Sequence, residues 1–263
     1  MSGSALWCGA CGTCIADDSS MDAMQTGRTR TQWAVVGGGN GGQAAAAHLA
    51  LLGFPVRLYD IFPATVEAIQ AQGGIQVQGV LQGFGSLEAS SVDLDAVIPG
   101  VDVIMVVAPA TAHADIAKRC ASLLRDGQLV FLHPGSTGGA LEFRHVLQQA
   151  GCSAEILLAE SSSLLYACRS PQPGRVELFA IKKELMVAAL PAGSIDQVLD
   201  ILQTAFPQLY AGRNVLETSL TNPNAMLHPA PTLLNTSMIE SGRDWRYYWD
   251  GITPSIEIGR AHV

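Results

Sequence analysis

Short apolar runs alternate with amphipathic stretches of helical length along the chain as far as Glu160. Trp33 to Val36, Val56 to Asp60, Val101 to Val107, Gln128 to Leu132 and Glu155 to Ala159 read as strands. The run VDVIMVV is unbroken, as suits a strand covered on both faces of a parallel sheet. Between these runs, Gln43–Leu52, Pro63–Gln72, Thr111–Leu124 and Gly139–Gln149 read as helices, and Gly74 to Glu88 as two short strands around Gly79 to Gly85. Strand and helix in repetition predict an α/β fold, a Rossmann-type doubly wound and mostly parallel sheet. Past Arg175 the rhythm changes. Val176–Ile181 and Glu184–Leu190 resemble strands paired around Lys182-Lys183, with a helix over Ile195–Ala205. From Asn222 to Gly242 the composition is helical, but Pro229 and Pro231 forbid a smooth helix, so His228 is expected at a kink or junction.

The first strand runs directly into Gly37, Gly39 and Gly42, which satisfy G-x-G-x-x-G. In such a motif the first glycine makes the tight turn, the second lets a pyrophosphate approach the backbone, and the third lets helix pack on strand. The N–H groups of the following helix then face the phosphates. Asp60 ends the second strand 18 residues past Gly42, near the offset expected of a ribose-binding carboxylate. Dinucleotide binding follows, with Gly37, Gly39, Asn40, Gly41, Gly42, Asp60, Ala108 and Pro109 as the candidate contacts. A carboxylate at Asp60 accepts from an unphosphorylated ribose and repels a 2′-phosphate. Ile61 and Phe62 add no cation, and Arg57 lies within the strand. NAD is therefore favoured, with NADP the alternative.

The 263 residues suffice for one large domain or two ordinary ones, and 48% hydrophobic with 14% charged residues describes a chain with a substantial core. A net charge of −8 without a basic–aromatic stripe argues against nucleic acid, and no apolar run has the length of a membrane span. Cys8, Cys11 and Cys14 have metal-ligand spacing but lack an evident fourth ligand, so no metal is expected there. No secretory signal core precedes Gly27, which points to the reducing cytoplasm.

Two residues carry candidate chemistry beyond the sheet. His228 can exchange a proton near neutral pH, as a hydride transfer to C=O or C=N requires. Glu160 ends the fifth strand, either facing the crevice at the strand ends or serving as a helix-capping or surface carboxylate. Arg169 is either an anion-binding or an ordinary surface arginine.

The segments VVAPATAHADIA, HPGSTGGALEFRHVL, AESSSLLYACR and LTNPNAMLHPAPTLLNTSMIESG resemble, in this order, segments of the octopine/nopaline (opine) dehydrogenase family. The likeness covers about Trp33 to Ser255. It implies NAD(P)H-dependent reductive condensation of an amino acid with an α-keto acid through an imine, and a sheet domain followed by an all-helical one of 6-phosphogluconate dehydrogenase C-terminal type. By that resemblance His228 is the catalytic acid/base and Glu160 lies on the substrate side. Glycerol-3-phosphate dehydrogenases and ketopantoate reductases join similar domains but are expected to use a lysine in the helical part, and no Lys follows Lys183 here. A non-catalytic dinucleotide-binding module is the remaining alternative.

The expected organisation is a tail over 1–26 (disordered or a non-native extension), a dinucleotide-binding domain over 27–213 and the start of a helical domain over 214–256. The likeness stops near Ser255, and the terminal IGRAHV coincides with one reading frame of a sequencing adapter, so residues 257–263 are expected to be an artefact ending a truncated chain. A helical domain cut short leaves Leu233, Leu234, Met238 and the Trp245–Trp249 cluster unpartnered, which favours a homodimer or aggregation and leaves turnover by this chain in question.

Overall fold

The computed structural model describes residues 30–222 and 224–261. The tail over 1–26, with Cys8, Cys11 and Cys14, lies outside them. In chain order the elements are β1 Trp33–Val36, α1 Asn40–Leu51, β2 Val56–Tyr59, α2 Pro63–Gln72, β3 Gly74–Gly79, β4 Gly83–Ser86, β5 Ala89–Ser91 and β6 Val103–Val106. Next come α3 His113–Cys120, β7 Leu129–Leu132, α4 Gly139–Gln149, β8 Leu157–Ser161, β9 Tyr166–Gln172, β10 Arg175–Ile181, β11 Leu185–Ala189, α5 Ile195–Leu202 and β12 Leu209–Ala211. Short helices follow: α6 Val215–Leu220, α7 Asn224–Leu227, α8 Pro229–Leu234, α9 Thr236–Glu240, α10 Tyr247–Asp250 and α11 Pro254–Ala261.

Eight strands form the main sheet in the order β12-β11-β8-β7-β6-β1-β2-β5, parallel except where β11 meets β8. The order reverses between β1 and β6: the chain first builds outward through β2 and β5, then returns to the far side of β1. Such a switch point opens a crevice at the carboxyl ends of the strands. β1, β6 and β7 are buried along their whole length, as their unbroken apolar runs require. On one face Trp33 meets Phe54 and Phe206 edge-on at 6.1 and 5.9 Å. On the other, Phe143 of α4 packs with Ile104 and Val130.

The second sheet, β4-β3-β10-β9, packs against α1. Here the expected pairing of the segments around Lys182-Lys183 is corrected. β10 pairs antiparallel with β9 and parallel with β3, whereas β11 joins the main sheet. Burial explains the split: β10 alternates buried and exposed residues at its start, while β11 is apolar nearly throughout and needs cover on both faces. The helix expected over Thr111–Leu124 is shorter, a 3-10 turn at Ala110–Ala112 leading into α3. α1 begins three residues earlier than its alanine run suggested, at Asn40.

Candidate dinucleotide site

The carboxyl end of β1 turns at Gly37, whose φ of +115° suits glycine, and a Cβ there would strike the Val107 carbonyl beyond β6. A Cβ on Gly42 would overlap the Gly37 carbonyl, so only glycine lets α1 start this close to the turn. Gly39 is the N-cap of α1, no side chain caps that end, and nothing lies within 4 Å of the place a Cβ would occupy. The loop therefore presents an open surface to which the first N–H groups and the positive end of a 12-residue helix are directed. Gly41 tucks against the side chains of Leu164 and Val107, each 3.1 Å from a virtual Cβ.

Asp60 is 5% exposed and bonded to the loop: its carboxylate accepts the Gly38 N–H at 2.5 Å and the Phe62 N–H at 2.8 Å. Arg57 is engaged elsewhere, by the Pro99 carbonyl at 2.8 Å and Glu88 at 3.5 Å, leaving Asp60 without a nearby arginine from its own strand. Ala108 and Pro109 follow β6 directly beside Gly37, and the buried His113 ring contacts the Ala108 carbonyl at 3.2 Å through Nε2. Burial pulls the His113 pKa below the ordinary imidazole value. The structure thus gathers Gly37–Gly42, Asp60 and Ala108–Pro109 at the switch point. Asn40 belongs to this group by position, but its side-chain oxygen accepts the Ser170 N–H of β9 at 2.8 Å.

Glu160 departs from a crevice-facing position. It lies within β8, fully buried, and its carboxylate accepts from Ala140 N–H at 2.8 Å, Thr218 Oγ1 at 2.5 Å and Ser219 Oγ at 3.2 Å. It caps the first turn of α4 and ties α6 to the sheet. Burial raises its pKa, opposed by these donors. Arg169 is exposed on β9, in register with Glu177 of β10. His228 occupies the junction between α7 and α8, half-buried, its ring 6.1 and 5.7 Å from those of Tyr247 and Tyr248. The Tyr247 hydroxyl donates to the His228 carbonyl at 3.0 Å, which fixes the junction to α10. The ring partners of His228 are thus tyrosines of the helical segment, not residues of the glycine loop.

Sequence reasoning passed over His133. It is buried at the end of β7, accepts the Leu165 N–H at Nε2 (3.1 Å) and bonds Ser161 Oγ through Nδ1 (2.8 Å). It thereby sets the loop that carries Leu164 against Gly41. An isolated His-Pro-Gly at a strand end gives no local sign of that role. Among the described residues no group of three or more His, Cys, Asp or Glu could hold a metal, and no helix is long and apolar enough to cross a membrane.

A doubly wound sheet with a glycine-rich first turn, followed by short helices, defines a Rossmann-type protein joined to a helical segment. Residues 211–258 match the family model for the alpha-helical domain of NAD/NADP octopine/nopaline dehydrogenase. The chain is 45% identical over 225 residues to the opine dehydrogenase of Arthrobacter sp. (strain 1C), an alignment covering 85% of this chain and 62% of that protein. It is 24% identical over 211 residues to the octopine dehydrogenase of Pecten maximus, covering 74% and 52%. Among solved structures, octopine dehydrogenase with NADH and L-arginine superposes with a TM-score of 0.64 at 23% identity, over 82% of this chain and 56% of that one. Yersinopine dehydrogenase with NADP+ gives a TM-score of 0.71 at 15% identity, over 88% and 61%. A ketopantoate reductase from Ralstonia eutropha JMP134 shares the fold, with a TM-score of 0.64 at 18% identity, over 89% and 71%. These matches place the chain's likeness with the opine dehydrogenases. The chain spans 62% of the Arthrobacter relative and about half of the Pecten one.

Proposed function

We propose that this chain carries the nucleotide-binding part, and helices of the substrate-binding part, of an NAD-dependent dehydrogenase that reductively condenses an amino acid with an α-keto acid. The observation that carries the reading is the uncapped N-terminus of α1 opening at Gly39, with Asp60 anchored beside it. These residues fit a dinucleotide: the helix end suits a diphosphate, and a carboxylate backed by no cation from its own strand suits an unphosphorylated ribose. Relatives support it too, since octopine dehydrogenase structures carry NADH with L-arginine, agmatine or pyruvate.

A reduced nicotinamide, when bound, would supply hydride to the carbon of the C=N bond that the amine and the keto acid form with loss of water. The loop Gly37–Gly42 and Asp60 orient the dinucleotide, and Ala108–Pro109 border it from β6. His228 exchanges the proton at its imidazole, and Tyr247 steadies its backbone. Glu160 serves the substrate side indirectly, by fixing α6, the helix that leads to α7 and His228. We place the domain boundary near Arg213 and the protein in the cytoplasm, where Cys120, Cys152 and Cys168 stay as thiols. Exposed Leu233, Leu234 and Trp249 supply an apolar surface for a homodimer.

The test is a fluorescence titration with NADH, followed by NADH oxidation in mixtures of amino acids and 2-oxo acids. Saturable binding and turnover only when both substrates are present are expected. His228→Ala should lower turnover by about 10²–10⁴-fold and leave the NADH affinity unchanged. Unaltered turnover removes His228 from the acid/base role. NADPH oxidation with ketopantoate would favour the reductase reading, and binding without any turnover a non-catalytic module.

A further inference from the structure

Gln43 lies in the second half-turn of α1 and is 3% exposed. Its side-chain amide is committed in three directions. Nε2 donates to the Gly38 carbonyl at 2.8 Å and to Ser170 Oγ at 3.1 Å, and Oε1 accepts the Gly174 N–H at 2.8 Å. Gly38 is thereby fixed on both sides, its carbonyl by Gln43 and its N–H by Asp60. A helix packed against a sheet has no need of a buried amide at this position, and an apolar side chain would fill the space without any polar group to satisfy.

The far end of this arrangement is equally well defined. Gly174 forms the β9–β10 turn with φ +78°, and its carbonyl accepts from Gln72 Nε2 at 2.5 Å and from Gln76 N–H at 2.9 Å. Two glutamines from successive helices thus grip opposite sides of one turn residue. Ser170, on the same hairpin, donates its N–H to Asn40 Oδ1, and the Cys168 thiol reaches the Asn40 carbonyl at 3.4 Å. Apart from the Tyr166 hydroxyl, which meets His48 Nδ1 at 3.1 Å further along α1, these polar contacts from the hairpin fall on the first turn or so of the helix.

We infer that Gln43 is a positioning residue for nucleotide binding and that the β9–β10 hairpin braces the glycine loop through it. This rests on the dinucleotide reading of Gly37–Gly42. Three glycines in succession give the loop more backbone freedom than any other composition, and a diphosphate binds well only when the N–H groups already point the right way. Holding the peptide units on either side of Gly38 removes that freedom before the ligand arrives. Asn40 and Ser170 restrict the next residue in the same manner.

The experiment compares wild type, Gln43→Leu and Ser170→Ala in binding NADH, ADP-ribose and adenosine, with unliganded melting temperatures alongside. Gln43→Leu keeps the volume and loses all three hydrogen bonds. It should raise the Kd for NADH and ADP-ribose roughly tenfold, while adenosine, which carries no phosphate, binds as before. Ser170→Ala, a milder change that preserves the fold, should raise both by about two- to threefold. Unchanged affinities in both variants, or an equal loss for adenosine, overturn the inference. If wild type itself binds neither NADH nor ADP-ribose, the dinucleotide reading falls first and this one with it.

Discussion

Thr218 donates its hydroxyl to the Glu160 carboxylate at 2.5 Å, across 58 positions of chain. The same oxygen accepts Ser219 Oγ, which in turn receives the Gly138 N–H at 2.9 Å, and the other oxygen takes the Ala140 N–H. One buried carboxylate thus serves the uncapped start of α4 and the helix α6. The helix end and four donors or relayed donors act for the charged form, against burial, which opposes it more strongly.

Thr218→Val tests that junction. The replacement is nearly isosteric and removes the shortest of the bonds, so stability should fall by about 1.5–3 kcal/mol, the usual worth of a hydrogen bond to a charged group. Because burial raises the Glu160 pKa, the carboxyl's contribution is full below its ordinary value of 4.5 and is lost as pH rises through the raised one. The Thr218 hydroxyl offsets that loss, so the deficit in Thr218→Val should be larger at neutral pH than at pH 4. Urea titrations at both pH values decide it. Equal stability of variant and wild type at neutral pH would show that the bond does not hold α6.

Gly39 and Gly42 should separate folding from binding. Gly39 has φ −70° and free space around it, so Gly39→Val should melt within a few degrees of wild type and lose NADH affinity. Gly42→Ala instead drives a methyl into the Gly37 carbonyl, an overpacking that should cost about 1–3 kcal/mol. Thermal melts beside NADH fluorescence read both. A Gly39→Val protein that binds NADH normally would remove the loop as the phosphate cradle.

Much of this architecture is visible in the amino-acid pattern because it is locally encoded. α2 and α4 begin and end where expected, α2 opening with Pro63 at its start and closing on Gly73 with φ +75°. The glycine loop is legible because Gly37 and Gly42 answer steric needs within ten residues or at a neighbouring strand, while Gly39 leaves the helix end open. What stayed hidden depends on distant returns of the chain. β9 mixes Ala167, Arg169, Pro171 and Gln172 on exposed positions, so its strand character comes from pairing with β10, not from an apolar run. Lys182-Lys183 looks like a hairpin turn, yet the two strands it joins belong to different sheets. Glu160 is a strand-end acid in sequence. Only the return of α6 with Thr218 and Ser219 makes it a buried cap. Gln43, one polar residue beside an alanine run, gives no local hint that it reaches Gly174.

His133 carries the clearest acid dependence. Its Nε2 accepts the Leu165 N–H, so the ring proton sits on Nδ1 and is donated to Ser161 Oγ, whose own proton goes to the Ser163 carbonyl at 3.0 Å. Protonating Nε2 would break the Leu165 bond inside a site closed to water. Lys182, whose Nζ donates to Ser163 Oγ at 2.6 Å, adds a nearby positive charge. Burial first and Lys182 second push the His133 pKa down to about 3, from 6.5. Between those values the unfolded chain binds a proton that the native protein refuses. Stability from this group is therefore complete above about pH 6.5 and is lost as pH falls toward 3, by about 1.4 kcal/mol per unit. His133→Asn keeps a donor toward Ser161 and cannot titrate. It should be less stable than wild type at pH 7.5 by about 1–3 kcal/mol, because the Leu165 N–H is left unpaired. That gap should close steadily between pH 6.5 and 4.5 as wild type alone pays the protonation penalty. His48 and His113, whose pKa values are also lowered by burial, act equally in both proteins and cancel in the difference. Parallel stability curves for the two proteins across that range would mean that His133 is protonated in the native state or is not enclosed as described.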